Sequence, residues 1–346
     1  MLKYRSRPGF QVVSQNSNAM KANLTIPAEE DGMISRLCPN DQCRPRYFKV
    51  KLGTGIVGVP EPVMYCPYCQ QKGDPGDFHT PAQIRYGEDV LKREVERAMV
   101  EALQDMTRSF NRSTPRDSFI QFKLEVKADA FHYVPRPEGM WARRVLICGK
   151  CGLEHSVYGL SEWCPDCSTP TFALHVGHEV DCIGRQLADL DRREKELGGD
   201  VAQRDIDNIL EDIVSFYEGF MKFVWQRHLL KTLASETADE KMKKAGNVFQ
   251  RFEESLGIVE GMGCRTCDLV AEGERNRLDR LFKSRHVVTH NLGVADEKFV
   301  AKTGQGHLLH MDVRILRGDL AFAVGVVEGI IRATYQTLSL GQQGLT

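Results

Sequence analysis

The chain of 346 residues has no long apolar run. No stretch approaches the about 18 apolar residues that a bilayer-crossing helix requires. The most apolar segment, LAFAVGVVEGII, is interrupted by Gly325, Glu328 and Gly329. The N-terminus, MLKYRSRPGFQVV, has no apolar core of signal-peptide length. These absences predict a soluble, cytoplasmic protein with no membrane partner. An excess of one charge is also missing: 46 Lys and Arg stand against 47 Asp and Glu, a net charge of -1. Broad, salt-driven nucleic-acid binding needs a basic chain, so any such contact must come from a local patch. No internal repeat occurs beyond two cysteine clusters.

Cysteine is what the sequence has in quantity. There are eleven, an odd number, and most fall in close pairs. Disulfide frameworks belong to short secreted chains, whereas close pairs in an intracellular chain favour metal. The first cluster is Cys38-x4-Cys43, then 22 residues, then Cys66-Pro-Tyr-Cys69; the second is Cys148-Gly-Lys-Cys151, then 12 residues, then Cys164-Pro-Asp-Cys167. Zinc takes four soft ligands in a tetrahedron, and two cysteines separated by two residues reach one metal through a tight turn. The clusters resemble zinc ribbons, the second more closely than the first with its wider Cys38–Cys43 spacing. Two structural zinc ions are expected, with no open coordination position for catalysis. Iron in a rubredoxin-like site, and a cross-pairing of Cys66 and Cys69 with Cys148 and Cys151, stay open on spacing alone. Cys264-Arg-Thr-Cys267 has no partner pair. It reads as small residues in a loop rather than a third site with His175, His178 and Cys182.

Hydrophobic periodicity divides the chain into a multidomain α+β protein, β-rich in its first half and all-helical in its second. Residues 1–32 read as a flexible tail, 33–79 as a first ribbon, and 80–116 as a helix and linker. Residues 117–178 read as a strand, from the alternation in SFIQFKLEVKADAF, plus a second ribbon. Residues 179–199 read as a polar connector helix and 200–342 as a helical bundle. Within the bundle, Ile206, Ile209, Leu210, Ile213, Phe216, Tyr217, Phe220, Phe223 and Val224 form one stripe on a long helix. Further helices are predicted over 240–256, 268–290 and 319–338, with GIVEGMG as a break. Asn291 and Gly293 supply a helix stop, and Asp296 a cap for the next element.

Two segments carry candidate contacts. Arg36, Arg44, Arg46, Lys49 and Lys51, interleaved with Tyr47 and Phe48, form a basic run able to meet phosphate and stack a base; Arg44, Arg46, Tyr47 and Lys49 are its main members. A solvated basic strand explains the run equally well. Arg143 and Arg144 beside Trp141 make a smaller case. The second segment is KSRHVVTHNLG, 283–293. On an ideal helix of about 100° per residue, Leu278, Leu281, Phe282 and Val288 share a stripe, and Arg285 lands near its middle. His286 and His290, four apart, meet at its flank. A guanidinium on an apolar face is costly unless paired or facing a partner. A structural ion pair with solvated histidines is the simplest explanation on spacing alone. A metal on the two histidines lacks an acidic partner in the adjacent sequence.

Arg285-His286-Val-Val-Thr-His290 resembles the Arg-x4-His motif of HEPN domains, and His286 matches the polar residue often found after the arginine there. The continuation HNLGVADEKF and the flanking apolar helices extend the resemblance over roughly residues 200–340. It implies an all-α bundle and a metal-independent endoribonuclease acting as a homodimer with a composite site, in defence, stress response or RNA processing. Carried over, Arg285 binds the scissile phosphate and His290 serves as general acid or base. His286 orients the phosphate or His290, and Asn291 adds a hydrogen bond. Attack by the RNA's own 2′-OH leaves a 2′,3′-cyclic phosphate. The ribbons would then target or regulate the nuclease through RNA or a protein partner. A non-catalytic adaptor, using ribbons and bundle for binding alone, is the rival; a zinc-dependent enzyme would need an open metal site.

Overall fold

The computed structural model describes residues 4–16, 19–58, 62–113, 124–127, 134–135 and 144–343. The chain divides into two compact units, Met1–Thr171 and Phe172–Thr346. Among the described residues no helix is long and apolar enough to cross a membrane.

The N-terminal unit is built from short antiparallel strands and one long helix. β1 (Phe10–Gln15) and β2 (Met20–Leu24) pair as a hairpin. Its Phe10 is buried in a small cluster with Val90 and Val134. The expected flexible tail is therefore partly structured. A bulge between Val12 and Ser14 breaks the two-residue alternation, which is why no period is visible there.

β3 (Met33–Leu37), β4 (Tyr47–Lys51), β7 (Arg144–Ile147) and β8 (Glu154–Val157) form one four-stranded sheet in the order β3-β4-β8-β7. One sheet thus runs through both cysteine-rich segments, where spacing alone suggests separate ribbons. The ladder of Phe48, Lys49 and Val50 against Val157, Ser156 and His155 joins them. β5 (Met64–Tyr65) and β6 (Lys72–Gly73) make a minimal second hairpin. A 3-10 turn over Pro75–Phe78 leads into α1 (Pro81–Ser113), with proline in the first turn where its missing N–H costs nothing. Of the strand expected from SFIQFKLEVKADAF, residues 124–127 are not strand, and the rest lies outside the described residues, as do Trp141 and Arg143.

β3, β4 and β8 are buried on both faces, whereas the edge strand β7 leaves Val145 and Ile147 exposed. His155 on β8 is wholly buried, with Nδ1 3.3 Å from the Leu153 carbonyl and no partner for Nε2 among the described residues. Burial pushes its imidazole down from the ordinary 6.5 to about 4. Below pH 6.5 the unfolded chain takes up a proton that the folded chain refuses. Stability is therefore complete above about pH 6.5 and falls as pH drops toward 4, by about 3 kcal/mol at the limit. Urea unfolding at pH 5 and pH 7.5 should show this loss in the natural chain. A smaller loss is expected in His155→Leu; equal losses would refute the assignment.

The C-terminal unit is all helical. α2 (Phe172–Leu197) and α3 (Gly199–Thr232) pack side by side, and both meet α9 (Arg317–Gln343). The segment expected as a connector is thus the bundle's first helix. Its buried apolar positions, Phe172, Val176, Ile183 and Leu190, joined by His175, make a stripe too thin to stand out among charged neighbours. The break expected at 198–200 falls between Leu197 and Gly199, where Gly198 takes φ 95°. The α3 stripe is buried as expected, except Phe223, which is half-buried.

The helix expected over 240–256 is split. α4 (Ser235–Ala245) stops at Gly246, a 3-10 turn follows, and α5 (Phe252–Gly261) runs through the expected break, because Phe252, Leu256 and Val259 hold its face in the core. A short α6 (Thr266–Leu269) precedes α7 (Glu272–His290), and α8 (Glu297–Thr303) follows it.

Candidate functional site

The eight expected ligands converge in two groups, Cys38/Cys43/Cys66/Cys69 and Cys148/Cys151/Cys164/Cys167, each with its sulfurs within 4.8 Å of one another. This excludes the cross-pairing that spacing left open. Cys38–Cys69 and Cys43–Cys66 lie 3.6 and 3.7 Å apart, and Cys148–Cys167 and Cys151–Cys164 each 3.6 Å. A tetrahedron with metal–sulfur bonds of about 2.3 Å has edges of roughly 3.8 Å, whereas a disulfide closes to about 2.05 Å. All eight cysteines are free thiols, so the geometry fits two four-coordinate metal sites.

The three Cys-x-x-Cys turns share one backbone design. The first cysteine's N–H donates to a carbonyl five residues on, and its carbonyl accepts the N–H four residues on: Cys66 with Gln71 and Gln70, Cys148 with Leu153 and Gly152, Cys164 with Thr169 and Ser168. In each, the fourth residue sits at positive φ, namely Gln70, Gly152 and Ser168. Only one is glycine, so the turn is specified by its hydrogen bonds and ligands rather than by residue type. The wider Cys38–Cys43 loop is tied differently: Arg46 grips the Cys38 carbonyl through Nε (3.0 Å) and Nη2 (2.7 Å) and pairs with Asp41 at 2.7 Å. Burial pushes the Cys151 thiol up to about 12 and raises that of Cys164 further. A cation held between them would favour their ionised form.

The basic run is largely consumed inside the fold. Lys49 is buried, its ammonium 2.7 Å from both Glu29 and Asp31, which removes it from any surface that meets phosphate. Tyr47 is half-buried edge-on to Tyr158. Lys51 pairs with Glu154. Arg44 bonds the Asp41 and Cys43 carbonyls but stays exposed. The alternation that exposes every second strand residue holds only for a sheet with one open face, and this sheet has none at β4.

In the second unit, α7 is locked to α3 by Tyr217, whose ring meets Phe282 edge-on at 5.4 Å and whose hydroxyl lies 2.7 Å from Ser255 Oγ. One turn beyond Phe282, Arg285 is sunk to 12% side-chain exposure with Nε 3.4 Å from Glu211 Oε2 on α3. The Thr289 hydroxyl donates to the same oxygen at 2.9 Å. His286 and His290 are exposed, their ring centroids 4.9 Å apart. The helix ends as expected, with Asn291 at its cap and Gly293 at φ 83°. Val287, rather than the half-buried Val288, anchors this end, packing with Ala295 and Phe299.

Asn291 donates to Asp296 Oδ2 at 3.0 Å, and Asp296 Oδ1 caps α8 by accepting the Phe299 N–H at 2.7 Å. The Phe299 N–H, Asn291 and the nearby Lys298 and His286 hold the Asp296 carboxyl below its usual range. The Asn291 amide is therefore spent on the loop. Glu211 and Thr289 are the contacts that reading the sequence missed. Glu211 lies on the polar border of the α3 stripe, and only the packing of α3 on α7 brings it to Arg285.

The remaining cysteines form no further cluster among the described residues. Cys182 lies 3.7 Å from His178 on α2, while Cys264 is buried and Cys267 exposed. Comparison with protein-family models, curated proteins and solved structures returned no match to this chain.

Proposed function

We propose that the C-terminal unit is a HEPN-type, metal-independent endoribonuclease, and that the N-terminal unit, holding two structural zinc ions, targets or regulates it. The observation that carries this reading is the placing of Arg285, His286 and His290 together on the last turns of one helix, with the guanidinium rooted in a packed face and both imidazoles exposed and near each other.

In this reading Arg285 receives the scissile phosphate as a fork-shaped donor and stabilises charge on its non-bridging oxygens. The 2′-oxygen attacks the adjacent phosphorus as its proton passes to a base, and the bond from phosphorus to the 5′-oxygen breaks as that oxygen gains a proton. His290 performs one of these transfers. His286, beside it, orients His290 or the phosphate. The products are a 2′,3′-cyclic phosphate and a 5′-hydroxyl. The deciding experiment is cleavage of mixed RNA in EDTA by the natural chain and by His290→Ala.

Glu211 gives this mechanism a brake. Its carboxylate neutralises the charge that phosphate must meet. Glu211→Gln keeps a hydrogen-bond acceptor for Thr289 and removes the competing charge. The KM for RNA is expected to fall roughly three- to tenfold with little change in kcat. A KM that is unchanged or raised would count against Arg285 as the phosphate ligand. The same ion pair favours the second reading, a non-catalytic adaptor, in which Arg285 is a structural strut.

A homodimer is part of the proposal. Leu292, directly past the motif, is 92% exposed and held at φ 54°, and Val294 and Met311 beside it are exposed too. An apolar patch beside a charged site suits a subunit contact. Leu292→Asp is expected to turn dimer into monomer in light scattering without lowering the unfolding temperature; a dimer that persists would place the contact elsewhere.

A further inference from the structure

The N-terminal unit buries a cation that has no carboxylate partner among the described residues. Arg36, on β3, is 7% exposed. Its Nη1 donates to the carbonyl of its own neighbour, Ser35, at 3.1 Å, and its Nε has no partner. The other charged groups buried among the described residues of this unit are matched: Lys49 by Glu29 and Asp31, and Glu94 by Arg7 and Arg97. A buried guanidinium without an anion is unfavourable, and the chain gains nothing by keeping it unless something else completes it.

The surroundings of Arg36 point to an anion from outside the chain. Arg36 lies opposite Phe48 in the β3–β4 register, and Phe48 meets Phe78 edge-on at 6.0 Å. Phe78 closes the 3-10 turn that delivers His79 and Thr80 to the start of α1. The Ser35 carbonyl that accepts Arg36 Nη1 also accepts Gln83 Nε2 at 2.8 Å. Gln83 and Thr80 cap α1 reciprocally: the Thr80 N–H donates to Gln83 Oε1 at 3.0 Å, and the Gln83 N–H to Thr80 Oγ1 at 3.2 Å. The guanidinium therefore sits at the N-terminus of a 33-residue helix, the positive end of its dipole. His79 is half-buried beside it, and burial and the Arg36 charge both disfavour its protonation. Three positive or potentially positive groups meet, and no described carboxylate is in ion-pair contact with Arg36, an arrangement that an oxyanion would resolve.

We propose that Arg36 and His79, at the positive end of the α1 dipole, form a binding site for a phosphate monoester, carried by a free phosphate or by the 5′ end of an RNA. Arg36 is deeply set, which favours a terminal phosphate over a phosphodiester whose strand must continue on both sides; His79 is the one group of the set that keeps appreciable exposure. The site belongs to the other unit from the Arg285 motif and does not depend on the ribonuclease reading.

The test uses the full-length, metal-loaded protein, titrated calorimetrically with inorganic phosphate and with a short 2′-O-methylated RNA bearing a 5′-phosphate or a 5′-hydroxyl. That RNA cannot be cut by 2′-OH attack, so failure of the nuclease reading leaves the result intact. Inorganic phosphate is expected to bind and to raise the unfolding temperature. A 5′-phosphorylated RNA that binds at least about tenfold more tightly than its hydroxyl counterpart would identify the RNA end as the source. Phosphate binding without that preference would identify free phosphate. Arg36→Met should abolish both effects, keep two metals per chain, and fold at least as stably in phosphate-free buffer, since it removes an uncompensated charge. His79→Gln, which disturbs no core, should weaken phosphate binding several-fold and covers the case in which Arg36→Met fails to fold. Absence of phosphate binding, or binding of natural strength in either variant, would overturn the proposal.

Discussion

Removing metal from this protein is expected to unfold its N-terminal unit and leave its C-terminal unit standing. The strands of the main sheet are four or five residues long, and β5 and β6 only two. Such strands carry little independent stability. In our proposal, metal held by the two groups of four cysteines at their ends fixes them. A structural zinc contributes apparent free energies of about 10–16 kcal/mol, comparable to the whole net stability of a typical domain, about 5–15 kcal/mol. Among the described residues the C-terminal unit holds no group of metal-ligating side chains, and its core is aromatic and aliphatic packing such as Phe172 against Tyr335 and Tyr217 against Phe252 and Phe282.

A strong chelator should therefore release two equivalents of metal, zinc in our proposal, measured with a colorimetric indicator. Limited proteolysis of the treated protein should then digest residues 1–171 and spare a fragment beginning near Phe172. Cys164→Ser should lower the metal content to at most one per chain. Because β4 and β8 join the two cysteine segments in one sheet, its damage should extend to the first site and appear as increased proteolysis between Cys38 and Cys69. Two metals released without loss of protease resistance would show that the sheet holds itself, and the sites would need another role.

The range of each interaction decides whether the sequence reveals it or hides it. The metal ligands are legible because a Cys-x-x-Cys turn is a local structure with its own hydrogen bonds. The long stripe of α3 is legible because a helix repeats its buried face every three or four residues. The hairpin of β1 and β2 is hidden by a bulge. The thin stripe of α2 is hidden by its charges. The misreading of Lys49 has one physical cause: a lysine in a strand looks solvated until a second layer covers it, and only the folded chain brings Glu29 and Asp31 to it. The same holds at the motif. Arg285 is visible as an anomaly on an apolar face, but its partner Glu211 is not, because tertiary packing alone sets that pair. The residues by themselves call for an ion pair without naming the acid.

His290→Ala is expected to abolish RNA cleavage in EDTA while leaving the fold unchanged. The imidazole is exposed at the end of α7, so its loss removes no core contact. A positioned general acid or base contributes about 10²–10⁴-fold to rate, and a loss of that size is the expected readout. Arg285→Lys should be nearly as severe, because an ammonium offers a point charge where a guanidinium offers a planar fork. It also preserves positive charge next to Glu211, so the helix pair should stay intact. The products separate mechanism from contamination: attack by the 2′-OH leaves a 2′,3′-cyclic phosphate, whereas metal-dependent hydrolysis leaves other ends and stops in EDTA. RNA carrying 2′-O-methyl groups should resist cleavage entirely.

The experiment has a clear opposite result. If neither the natural chain nor a version lacking residues 1–171 cuts any RNA, the Arg285–Glu211 pair is a strut and the exposed histidines are contact residues. The adaptor reading then becomes the better account of the same geometry. If the truncated chain cuts and the full chain does not, the N-terminal unit restrains the nuclease, and the two units are coupled as regulator and enzyme.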